Sequence, residues 1–189
     1  MQPGEFLTFP TRTTIQVIDA DPEKIHIEDI ARSLSRQCRF NGYIDAEHYS
    51  VAQHSVIVSD LVSIECSGLA DKDRWRFTLA GFLHDGAEAY LHDWIGPLKN
   101  LPELAFVKEL DGMWTNAIEQ RFGLPVGICE NRVVKDADRA VFVAEDMDLR
   151  GLDGYAPRRS KIERIDPLSA GIAEKIFLAR FRQLTDLVR

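Results

Sequence analysis

The densest chemistry in the sequence lies in Leu83-His84-Asp85-Gly86-Ala87-Glu88-Ala89-Tyr90-Leu91-His92-Asp93. Phe82 and Leu83 precede the adjacent His84-Asp85 pair, so it is expected inside an apolar helix, pointing into the protein. Burying a carboxylate beside an imidazole is costly unless something compensates it. A divalent cation is one compensation, and a purely structural hydrogen bond between the two side chains is the other. Neighbours on a helix diverge by about 100°, yet both side chains can converge on one ion placed between them. His54, in Ser50-Val51-Ala52-Gln53-His54-Ser55-Val56, puts a second imidazole on the apolar segment just before. Downstream, Asp136 and Asp138 point to nearly opposite sides of one helix. Asp138 lies in register with Val134 and Val141, which makes it the inward candidate. His54, His84, Asp85 and Asp138 together offer two imidazoles and two carboxylates, a mixed set suited to a borderline or hard divalent ion.

The elements that must position these residues are mostly helical. Apolar periodicity predicts helices over about 26–38, 49–66, 102–122 and 128–149, with one between that starts at Asp71 or Asp73 and runs into the His84-Asp85 segment. Asp166-Pro167 reads as the cap and first residue of a last helix, over 167–188. Residues 151–166 read as a long loop. Residues 1–22 differ, since Phe6–Phe9 and Thr13–Ile18 are rich in β-branched and aromatic residues, and a short hairpin is expected there. The predicted architecture is a single all-α bundle with an N-terminal β decoration.

Composition narrows the partners. The 189 residues carry a formal charge of −7, too acidic a balance for coating a long nucleic acid or an anionic membrane. Residues 157–189 hold eight basic and four acidic side chains, which leaves 15 against 26 in residues 1–156. Cys38, Cys66 and Cys129 are scattered and form no CxxC pair, which argues against a disulfide scaffold or a thiolate zinc site. The N-terminus shows no signal-peptide pattern, and no apolar run is long enough to span a membrane, so a cytoplasmic location is expected.

The ordered set His54, His84-Asp85, Asp138 resembles the HD-domain metal-dependent phosphohydrolase superfamily, over about residues 25–150. The resemblance looks closest to the 5'-deoxynucleotidase branch. An arginine followed by an aromatic, Arg39-Phe40, lies fifteen residues before His54. Glu88 follows Asp85 by three residues and Asp93 by eight. A Pro-x-Lys stretch follows as Pro97-Leu98-Lys99, and Asp138 is followed by the basic Arg139. One departure is Phe40, where the family has tryptophan at a position tied to sugar recognition.

The resemblance implies an HD core over 25–150 and hydrolysis of the 5'-phosphate of deoxyribonucleoside monophosphates by a metal-activated water. It implies one divalent ion (Co, Mn, Mg, Fe, Ni or Zn) on His54, His84, Asp85 and Asp138, and a homodimer. Glu88 and Asp93 would be the catalytic carboxylates, with acid and base not separable. Arg39, Phe40 and Lys99 would bind the substrate, because a pocket of carboxylates needs cations to hold a phosphate. A triphosphohydrolase of the same superfamily and a non-catalytic nucleotide sensor are the alternatives. A cyclic dinucleotide phosphodiesterase would need a Gly-Tyr-Pro signature that Gly154-Tyr155-Ala156-Pro157 does not supply. A di-iron oxygenase would need further histidines, and His26 and His48 are badly placed to provide them; His92, about two turns beyond His84, reads as structural.

Overall fold

The computed structural model describes residues 2–152 and 157–186. Gly154-Tyr155-Ala156, within the expected long loop, and the end of the last expected helix lie outside the described residues. The chain is all-α with a two-stranded antiparallel hairpin at its N-terminus. Strands β1 (Glu5–Leu7) and β2 (Thr14–Gln16) pair with Phe6 opposite Ile15. Ile15 drops into the core, and the Trp114 indole donates to the Val17 carbonyl at 2.9 Å. Asp29 accepts from the Thr11 amide and hydroxyl, which ties the hairpin to α1 (Ile27–Leu34).

Helix α2 (Val51–Glu65) is the centre of the bundle. It is apolar on nearly every side, as a helix surrounded by others must be. It packs on α3 (Asp71–Leu83), α7 (Arg132–Arg150) and α8 (Ala170–Asp186). Two apolar clusters meet along it. One joins Ile30, Val51, Phe82, Trp114 and Phe177, so it draws on α1, α3, α6 (Ala105–Arg121) and α8. The other joins Val58, Val62, Val141, Ala144 and Ile165, between α2, α7 and the segment before α8. His54 lies between the two, at the seam. Gly81 lets α2 and α3 approach closely, since a Cβ there would sit 2.9 Å from Val62 Cγ2.

Element boundaries depart from the periodicity in four places, each for a backbone reason. The first helix stops at Leu34 because residues 37–39 pair with 49–51: Arg39 N–H donates to the Tyr49 carbonyl and Val51 N–H to that of Gln37. The fourth starts at Ala105, behind a 3₁₀ turn over Pro102–Leu104. The fifth starts at Arg132, capped by the Asn131 side chain, because buried Glu119 takes the Cys129 N–H instead. The last starts at Ala170, not at Pro167, because the Gln53 amide on α2 donates to the Asp166 carbonyl and accepts from Leu168 N–H.

The His84-Asp85 pair is not inside a helix. Helix α3 ends at Leu83, residues 84–87 form a tight turn, and the short α4 (Glu88–Leu91) follows. The turn closes on Gly86 N–H donating to the Leu83 carbonyl at 2.8 Å. A Cβ at Gly86 would lie 2.9 Å from that carbonyl oxygen and 3.0 Å from Ile118 Cδ1. The turn frees both side chains from helical spacing, so they can converge. Gly86→Ala is therefore expected to destabilise the fold by about 1–3 kcal/mol. Urea unfolding checks this, and an unchanged midpoint would contradict it.

Candidate metal centre

Three elements bring their donors to one point. His54 comes from the first half of α2, His84 and Asp85 from the turn after α3, and Asp138 from α7. His54 Nε2 and His84 Nε2 lie 3.4 Å apart. Asp85 Oδ1 lies 3.2 Å from His84 Nε2, and Asp85 Oδ2 lies 3.5 Å from His54 Nε2. Asp138 Oδ1 lies 3.2 Å from His54 Nε2 and 3.8 Å from His84 Nε2. Ligands held at about 2.1 Å around one ion are about 3.0–3.4 Å apart in tetrahedral or octahedral geometry. The histidine–histidine and histidine–Asp85 spacings and the shorter Asp138 spacing match that range closely, and the His84–Asp138 edge is wider. His54, His84 and Asp85 could hold a metal ion, and Asp138 is placed to join them.

Both imidazoles are oriented from behind. His84 Nδ1 lies 2.9 Å from the Gly81 carbonyl, which can only accept, so Nδ1 carries the proton. His54 Nδ1 lies 2.6 Å from Glu145 Oε1. Burial works against ionisation of Glu145, but the Arg39 and His54 charges and the hydrogen bonds from His54 and Tyr49 together outweigh it and pull its pKa to about 2, so this carboxylate also only accepts. In each ring the Nε2 is left facing the centre, the arrangement that fixes a ligating histidine. Exposure sets the open side. The His54 and His84 side chains are 0 % and 1 % exposed, whereas Asp85 is 19 % and Asp138 34 %, so access is from the carboxylate face.

Glu145 is a residue the sequence reading missed. It is fully buried, accepts from Tyr49 Oη at 2.7 Å, and pairs with Arg39 Nη2 at 3.1 Å. It stands seven residues after Asp138, on the same face of α7, and that register is visible in the sequence. Arg39 lies between Glu145 and Asp85, with Nη1 3.4 Å from Asp85 Oδ2. Phe40 turns away. Its backbone is left-handed (φ 57°), its ring packs on Phe142 at 5.6 Å, and the Arg150 guanidinium covers it at 4.9 Å.

Lys99, carried on the short α5 (Gly96–Lys99), reaches Glu88 Oε1 at 2.7 Å. Glu88 is buried, and its Oε2 has no partner among the described residues. Burial and then the Asp85 charge push its carboxyl well above the usual range, and Lys99 only partly opposes this. Asp93 is half-buried, and its backbone N–H donates to Gln37 Oε1 at 2.9 Å. Asp136 faces solvent, 3.4 Å from Arg132. The other histidines stand apart from the centre: His48 bonds the Ser35 carbonyl, His92 bonds Gln37, and His26 precedes α1.

Burial and the Arg39 charge oppose protonation of His54, yet Glu145 and Asp138 outweigh them and push its pKa up to about 10. Nδ1 keeps its hydrogen in either state, so the titrating proton is the one on Nε2, which a metal must displace. Below pH 10 each ion should therefore release about one proton. Affinity should weaken about tenfold per pH unit as the pH falls. Calorimetric metal titrations in buffers of different ionisation enthalpy check this. Glu145→Gln should weaken metal binding about 10–100-fold. A pH-independent affinity, or wild-type binding by Glu145→Gln, would contradict the geometry.

No family model matches the chain. Two curated proteins are similar to it. An uncharacterized protein of Rhodobacter capsulatus, RCAP_rcc00048, is 39% identical over 127 residues, which is 66% of this chain. The match spans 62% of that relative's length, less than two thirds. The uncharacterized protein YfdR of Escherichia coli K12 is 35% identical over 172 residues, 87% of each chain. Neither name carries an activity. At that identity and coverage, the chain belongs to the family of Escherichia coli YfdR.

Proposed function

We propose that the protein is a metal-dependent phosphohydrolase of the HD type that removes the 5'-phosphate from deoxyribonucleoside monophosphates. The observation that carries the reading is the convergence of two back-oriented Nε2 atoms with Asp85 and Asp138 beside buried Arg39 and the Lys99–Glu88 pair. A divalent ion on His54, His84, Asp85 and Asp138 would polarise a phosphoryl oxygen and lower the pKa of water.

The remaining chemistry falls to the chain's own residues. Arg39 stays charged because Glu145 and Asp85 outweigh its burial, and its guanidinium stands beside the open face where a phosphate would enter. Lys99 brings a second cation to the same side. It stays protonated because Glu88 holds it so against burial. Burial and the Asp85 charge raise the Glu88 carboxyl well above the usual range, and its unpartnered Oε2 suits a proton transfer at the leaving sugar oxygen. Asp93, half-buried just after α4, is the second carboxylate assigned to handle water or the leaving group. The acidic chain is compatible with a small anionic substrate because two cations and an ion offset the pocket carboxylates locally.

A panel of ribo- and deoxyribonucleoside mono-, di- and triphosphates, with metal removed and then restored, tests the reading. Phosphate release from deoxyribonucleoside monophosphates is expected, lost on chelation and reduced about 10³-fold or more in Asp85→Ala. Release of inorganic triphosphate from triphosphates would move the substrate assignment to the triphosphohydrolase. No turnover with any divalent ion would overturn the enzyme reading.

A further inference from the structure

Gln37 lies between α1 and α2, outside the metal cluster, and its carboxamide is used to capacity. Nε2 donates to the Glu88 carbonyl at 2.8 Å and stands 3.0 Å from Ser33 Oγ. Oε1 accepts from Asp93 N–H at 2.9 Å and from His92 Nδ1, also at 2.9 Å. Two donors and two acceptor positions are all that such a group has. Ser33 Oγ adds a bond to the Ala89 carbonyl at 2.8 Å. The end of α1 and the segment after it thus grip the backbone of α4 from its first residue to two residues past its last.

The grip spans both carboxylates assigned to proton handling. Glu88 opens α4 and Asp93 follows it, with His92 between them in a left-handed conformation (φ 74°). A non-glycine residue keeps that backbone only when its surroundings hold it, and here the Gln37 carboxamide holds the His92 ring and the next N–H. The Asp93 carboxylate makes no hydrogen bond or ion pair within the described residues, so its place is set through its backbone. Among the described residues, the Glu88 carboxylate is held at the side chain by Lys99 alone.

We propose that Gln37 is a positioning residue that fixes Glu88 and Asp93 relative to each other at the entry to the metal centre, an inference that rests on the phosphohydrolase reading for the reaction it serves. It does so without touching the four candidate ligands. Its removal should disturb proton transfer and leave metal binding intact.

Gln37→Met, of similar length and without polar atoms, tests this through kcat, KM, the pH–rate profile and metal binding. Metal affinity should be unchanged, KM should stay within about threefold, and kcat should fall about tenfold or more with displaced pH limbs. Gln37→Glu keeps the acceptor for Asp93 N–H and should recover part of kcat. A Gln37→Met enzyme with the wild-type kcat and pH profile would overturn the proposal. So would one that loses metal binding in step with kcat. A second readout does not need turnover. In zinc-loaded protein followed by carbon NMR of labelled glutamate, the Glu88 titration midpoint should move by about half a pH unit or more in Gln37→Met. An unmoved midpoint overturns the positioning role, whereas a wild-type protein without phosphatase activity but with a moved midpoint overturns only the reaction. If Gln37→Met does not fold, Gln37→Ala takes its place in the same NMR measurement, with the same deciding outcomes.

Discussion

Two imidazoles whose Nε2 atoms face each other at 3.4 Å, each with its Nδ1–H already committed, form a contact that needs a cation. With no proton and no metal between them, two lone pairs would point at one another in a buried space, with two carboxylates at its edge. The rest of the bundle serves that constraint. Gly81 lets α2 and α3 approach, and its carbonyl sets the His84 ring. Gly86 allows the turn that aims His84 and Asp85 together. Placing His54 where the two apolar clusters meet excludes water from the imidazole side and leaves the carboxylate side open.

Charge balance behind the imidazoles depends on Arg39. It neutralises Glu145 on one flank and reaches Asp85 on the other, while Tyr49 donates to Glu145. A buried pair of this kind contributes little net stability, but removing one partner strands the other at a cost of about 3–5 kcal/mol. Arg39 therefore has a structural duty as well as the phosphate role assigned to it, and loss of activity on truncating it would not separate the two. The left-handed Phe40 next to it is braced by Phe142 and Arg150. That brace accounts for how a strained turn can present Arg39 inward. The Phe40 ring lies against Phe142 and under the Arg39 and Arg150 guanidiniums.

The sequence made the helices legible because their apolar spacing is long and regular, and it exposed Asp138 because that aspartate keeps register with Val134 and Val141. Glu145 shares the register and was legible by the same rule, but a glutamate in a run of charged residues looks solvent-facing unless the His54 Nδ1 that needs it is known. Boundaries failed where long-range backbone pairing overrides local pattern. Gln53 holds Asp166 and Leu168 out of α8, and residues 37–39 leave α1 to pair with 49–51. Gln37 left no local signal, because three of its four partners lie more than fifty residues away and two of them are backbone atoms. The need for glycine at the turn after α3 comes partly from Ile118, over thirty residues away, which leaves no room for a Cβ at Gly86.

The central claim is that His54 and His84 present their Nε2 atoms to one divalent ion. X-ray absorption at the metal edge of metal-loaded protein, with the metal content per chain measured on the same sample, tests it most directly. One ion per chain with scattering from two imidazoles and additional oxygen ligands is expected, falling to one imidazole in His54→Ala. A loaded protein whose spectrum lacks imidazole scattering, or one that binds no divalent ion at all, would contradict the account.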